Sequence, residues 1–70
     1  MKRAITGRLV NASLIDAVRN QWELTLMLDD ELAIVEKYNV QSKYPFRNDE
    51  IRRFKLTFKG DKVIRVEALD

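Results

Sequence analysis

The 70-residue chain has no cysteine, no histidine, one proline and two glycines. Without cysteine there is no disulfide framework and no thiolate site, so the usual staple of small secreted domains is missing and a reducing cytoplasm is the expected compartment. General acid-base chemistry at neutral pH draws most often on histidine, and nucleophilic chemistry often on cysteine. Lacking both, the chain is expected to be a binding module and not an enzyme. No early segment joins an apolar run to a small-residue cleavage site, and nothing approaches the roughly eighteen apolar residues of a membrane span. Neither export nor a membrane partner is expected, and no cofactor is implied. The two glycines lie far apart, at Gly7 and Gly60, which excludes a glycine-rich phosphate loop.

Hydrophobic residues make up 46% of the chain, enough for a core. A chain this short buries only about 60% of the surface its unfolded form exposes. Residues 1–70 are therefore expected to form one domain that spends nearly all its apolar side chains on a single core. Thirteen Lys and Arg against eleven Asp and Glu leave a net charge of +2, modest for a nucleic-acid binder. The distribution is more informative than the total. Glu23, Asp29, Asp30, Glu31 and Glu36 crowd one stretch, while Lys43, Arg47, Arg52, Arg53, Lys55, Lys59 and Lys62 crowd a later one. One side of the molecule should be basic.

Trp22, Leu24, Leu26 and Leu28 alternate with Glu23, Thr25 and Met27, the period-2 pattern of a strand with one buried face. Asp29-Asp30 reads as a turn, and Leu32 to Val40 as a returning strand, with a short helix as the competing reading. With residues 29–31 as the loop, Leu26 would face Ile34 and Trp22 would face Tyr38. Glu36 is the defect in that register, and a bulge near Val35 would remove it. Arg52 to Lys59 puts Phe54, Leu56 and Phe58 on one face and Arg53, Lys55, Thr57 and Lys59 on the other. Lys62 to Leu69 is its partner across a loop at Gly60 to Lys62. That pairing sets Ile64 against Phe58, Val66 against Leu56, Ala68 against Phe54 and Glu67 against Lys55, with Met27 and Val63 facing outward. Ala4 to Val10 turns Ile5 and Leu9 inward, and Gly7 between them suits a bend or bulge. Residues 11–21 read equally as a continued strand or as one helical turn from Ser13.

The pattern is that of an all-β domain, with one short helical turn as an option: a small five-stranded antiparallel barrel of the OB or Sm kind. Asp29, Asp30 and Glu31 form the one dense acidic cluster. A solvated turn accounts for them better than a carboxylate pair or a calcium loop, which needs about twelve residues and a glycine at its bend. The segment Gln41 to Glu50 is richer in chemistry, with Tyr44, Phe46, Lys43 and Arg47 around the single proline. Single-strand binders combine a positive groove with stacking aromatics. Lys43, Tyr44, Phe46, Arg47, Arg53, Lys55 and Lys59 are therefore the candidate nucleic-acid-binding residues. The plainer reading makes Phe46 a plug for an open barrel end, Trp22 a core residue and the strand cations a solvated face. The alternative function is protein-protein interaction, as an adaptor or inhibitor of a larger assembly, and strand edges leave self-association open.

Overall fold

The computed structural model describes residues 2–29, 34–49 and 51–69. Five strands, β1 (Lys2–Asp16), β2 (Gln21–Leu28), β3 (Val35–Gln41), β4 (Arg53–Lys59) and β5 (Lys62–Leu69), form one sheet in the order β3-β2-β1-β4-β5. Every neighbouring pair is antiparallel. No helix lies among the described residues, so none is long and apolar enough to cross a membrane.

The 15-residue β1 organises the sheet. Its first half pairs with β4 from Lys2 to Arg8, its second half pairs with β2 from Gly7 to Asp16, and the two ladders overlap only at Gly7 and Arg8. Just past the overlap the register shifts between Leu9 and Asn11. A bulge of this kind bends a strand and increases its twist. Gly7 permits the tight approach of β2 at the bend: a Cβ there would sit 2.8 Å from the Met27 carbonyl oxygen and 3.3 Å from Leu26 Cβ. The curl brings β3 and β5, at opposite ends of the sheet, into contact. Both run parallel to β1, but no hydrogen-bonded ladder joins them. The expected barrel is therefore not closed: the sheet is curled and open at a β3/β5 seam.

The β4–β5 hairpin follows the alternation of its sequence. Phe54 faces Ala68, Lys55 faces Glu67 and Leu56 faces Val66, as the side-chain matching requires. Beyond Thr57 the register shifts, so Phe58 faces Val63 and not Ile64. The connection is two residues, with Gly60 at φ +64° in the first central position that a type II′ turn reserves for glycine. This shorter turn moves Val63 inward, where it packs against the core, and leaves Ile64 exposed. In the β2–β3 hairpin Leu26 faces Glu36, Leu24 faces Tyr38 and Trp22 faces Val40. The shift of two residues from the expected pairing reflects a longer connection. Glu36 keeps its inward phase without a bulge at Val35, because it lies at the exposed rim and accepts a hydrogen bond from the Tyr38 hydroxyl at 3.1 Å. Residues 30–33, and with them the expected roles of Asp30, Glu31 and Leu32, lie outside the described residues. Residues 11–16 continue β1 as strand. The Asp16 carboxylate then accepts from the Val18 and Arg19 amides at 3.0 and 3.2 Å, and Asn20 takes φ +54°, closing a turn where a helical turn was the other option.

The core consists of Leu9, Ala12, Leu24, Leu26, Val40, Phe46, Phe54, Leu56 and Phe58, and no polar or charged side chain among the described residues is buried. Gly7→Ala forces a methyl group against a backbone carbonyl that cannot swing away. It is expected to cost about 1–3 kcal/mol, as overpacking does, which lowers the melting temperature by at least about 4 °C in a domain of this size. An unchanged melting curve would show that β2 does not approach so closely.

Candidate nucleic-acid interface

The connection between β3 and β4 turns its aromatics inward by local hydrogen bonding. The Tyr44 amide donates to the Ser42 hydroxyl at 3.1 Å, and the Phe46 amide donates to the Tyr44 carbonyl at 3.0 Å. The second bond spans Pro45, whose ring fixes φ near −65° and so suits an inverse γ-turn. Phe46 is thereby delivered into the core, 7% exposed. Its ring lies 5.1 Å from Trp22 edge-on, 4.9 Å from Tyr44 and 5.4 Å from Phe54. Tyr44 is half-buried, edge-on to Phe54 at 5.3 Å, and its hydroxyl accepts from Arg52 Nη1. Phe46 is a plug with no free face for base stacking, and Tyr44, half-buried, packs at its rim.

Further along, Asn48 holds the connection against β1 where β4 has left it. Asn48 Oδ1 accepts from the Ala12 amide at 2.7 Å and Nδ2 donates to the Ala12 carbonyl at 3.0 Å. One side chain thus mimics a neighbouring strand. Glu50 lies outside the described residues.

The expected cations divide into two groups. Arg47 Nε and Nη2 donate to the two oxygens of Asp49 at 3.0 and 2.6 Å. Arg53 donates to Asp29 Oδ2 through Nε at 3.0 Å and through Nη2. These guanidinium bonds hold the carboxyls of Asp29 and Asp49 below the usual carboxylate range. Lys55 lies across from Glu67, yet Glu67 reaches along its own strand to Arg65 Nε at 3.3 Å. Lys43 and Lys59 make no ion pair with any described residue.

Three residues outside the expected set, Lys2, Lys62 and Arg19, complete the surface. Lys2, Lys59 and Lys62 are direct cross-strand partners on β1, β4 and β5, so neighbouring ammonium-bearing residues sit about 4.8 Å apart at the backbone. Asp61 lies in the turn that joins Lys59 to Lys62, but no ion pair links a lysine of the row to a carboxylate among the described residues. Lys62 also borders the β3/β5 seam, a cleft of about 250 Å³ whose walls include Arg19, Gln21, Asn39 and Gln41. A second cleft of about 280 Å³ continues from it past Arg19, Asn20 and Gln41 to Ser42 and Lys43. The result is a track of cations and amides from Lys2 through Lys59, Lys62 and Arg19 to Lys43. Lys62 begins the outer strand β5 while Arg19 lies in the turn between β1 and β2, and the curl of the sheet brings them to one cleft.

No protein-family model, no curated protein and no solved structure matches the chain. Among the described residues no group of three potential metal ligands forms.

With Phe46 in the core, Phe46→Ala is expected to cost about 3–5 kcal/mol, a large share of the roughly 4–10 kcal/mol that a chain of this length holds. Asn48→Ala, which strands the Ala12 amide and carbonyl, is expected to cost about 1–3 kcal/mol. Both are read as shifts in the denaturant midpoint. An unchanged midpoint in Phe46→Ala would return the ring to the surface.

Proposed function

We propose that the protein is a non-enzymatic nucleic-acid-binding module that grips the phosphate backbone through the track Lys2, Lys59, Lys62, Arg19 and Lys43. The observation that carries this reading is the unbroken Lys2-Lys59-Lys62 row. Like charges directly across from one another destabilise a sheet by about 0.2–1 kcal/mol per pair, so an uncompensated row is costly unless an anion covers it. The strand order, the long bent β1 and the parallel β3 and β5 edges in contact support a half-open barrel of the OB kind, in which the connection between β3 and β4 crosses to the far side of β1. Affinity in this reading is electrostatic, and Arg53 and Arg47, already engaged by Asp29 and Asp49, contribute less than Lys43 and Lys59. Lys55 stands on the flank of the track.

A protein-interaction module is the second reading, and one surface favours it. Past Arg8 the second edge of β1 has no strand beside it, and near that end Ile15 and Val18 are exposed, Val18 at 92%.

Lys59→Glu separates the two. The substitution places a carboxylate between two lysines, so the melting temperature is expected to hold or rise while oligonucleotide affinity falls at least tenfold. For the unaltered protein, contact with about four phosphates of a single strand gives a salt slope near −2.8, or about a 50-fold loss of affinity between 50 and 200 mM salt. Anisotropy titrations of a labelled oligonucleotide measure both quantities. Failure to bind single- or double-stranded oligonucleotides at 50 mM salt would remove the nucleic-acid reading and leave the apolar end of β1 as the functional surface.

A further inference from the structure

The two clefts around Arg19 differ from the open lysine row in being built on a braced turn, the first lying in the β3/β5 seam and the second running beside it as a shallower groove. Gln41 Nε2 donates to the Arg19 carbonyl at 3.0 Å, and the Ser42 amide donates to the Asn20 carbonyl at 2.9 Å. These bonds carry the β2–β3 pairing beyond Gln21 and Gln41 and fasten the β1–β2 turn to the end of β3. Asp16 braces the same turn from the other side through the Val18 and Arg19 amides. Its second oxygen lies 3.8 Å from Arg19 Nε, too long to occupy the guanidinium. The Arg19 backbone is thus fixed while its side chain stays 74% exposed.

Arg19 is common to both clefts. One pairs it with Lys62, the other with Lys43, and neither is lined by a carboxylate among the described residues. A guanidinium carries five donors in a planar fork and can serve two phosphates at once. Resting on the nucleic-acid reading above, we infer that these clefts are adjoining subsites for two consecutive phosphates of a single strand, with Arg19 bridging them. Lys62 closes the first subsite and Lys43 the second. A duplex holds its phosphates on the outside of a stiff cylinder and cannot set one in the seam between strand edges and the next in the groove beside the turn. A single strand bends to do so. Because Trp22 and Tyr44 each pack against the buried Phe46 and no aromatic ring lines either cleft among the described residues, the subsites read the backbone and not the bases, and homopolymers of different base should bind alike.

The test is an anisotropy titration of a labelled oligothymidylate, an oligoadenylate and a duplex of equal length. The proteins are the full chain and the variants Arg19→Gln, Lys43→Gln, Lys62→Gln, their three pairwise combinations and Lys55→Gln as a control on the same basic side. All the substituted side chains are charged and outside the core, and circular dichroism verifies the fold of each. Single strands are expected to bind at least tenfold more tightly than the duplex. Arg19→Gln is expected to weaken single-strand binding more than any other single substitution. In double-mutant cycles Arg19 should couple to Lys43 and to Lys62, while Lys43 and Lys62 add independently. Duplex binding as tight as single-strand binding, an Arg19→Gln effect no greater than that of Lys55→Gln, or additivity throughout would overturn the bridging arrangement while leaving nucleic-acid binding in place. Displacement of the strand by inorganic tripolyphosphate at equal phosphate concentration would overturn it as well, by showing that any linked phosphates suffice. Absence of binding to all three oligonucleotides would remove this inference together with the reading on which it rests.

Discussion

The bend of β1 between Gly7 and Asn11 is the constraint on which the rest of the molecule depends. A straight 15-residue strand would present β2 and β4 on opposite edges of a flat sheet, with β3 and β5 at its far margins. Because β1 passes from β4 to β2 at one close approach, the margins swing toward each other. The core forms inside the curl, and the seam forms where it fails to close. At that seam a cleft opens, lined by the side chains of Gln21, Asn39, Gln41 and Lys62.

The same geometry decides which charges remain available. Arg53, opposite Arg8 of β1, meets Asp29, and Arg47, in the β3–β4 connection, meets Asp49, and their fields are largely spent locally. Among the described residues the lysines nearest the seam have no such partners, and Arg19 is only loosely approached by Asp16. A net charge of +2 is therefore a poor guide to the local field, because the neutralised pairs and the uncompensated track lie in different places. Of the exposed apolar residues, Val10, Leu14, Ile15 and Val18 lie where β1 runs beyond β4, and Val18 adjoins Arg19 in the turn that follows.

Much of the sheet was legible in the sequence because strand alternation is a local property. Phe54, Leu56 and Phe58 against Arg53, Lys55 and Lys59 fixed the faces of β4, and side-chain matching then fixed most of the β5 register. The misplaced details are those that turn length controls. A two-residue turn at Gly60 moved Val63 inward and Ile64 outward, and a longer connection shifted β2 against β3 by two residues. Closure was not legible, since whether β3 and β5 form a ladder depends on the summed twist of five strands. In the site, Lys43, Lys59 and Lys62 all belong to the basic stretch of the sequence. Lys2 and Arg19 do not, because they come from other parts of the chain and join the row and the clefts only through the sheet order. Tyr44 and Phe46 carried the composition of a stacking platform, but the γ-turn at Pro45 and the shortage of core volume in so small a domain drew them inside.

The central claim is that nucleic acid lies along the basic seam, and backbone amide shifts of isotope-labelled protein titrated with a single-stranded oligonucleotide test it most directly. The account predicts that the largest changes fall at Arg19, Asn20, Gln41, Lys43, Lys59 and Lys62, with the apolar end at Ile15 and Val18 and the loop residue Ile51 little affected. Changes centred on Ile15, Val18 and Ile51, with the seam unmoved, would contradict it.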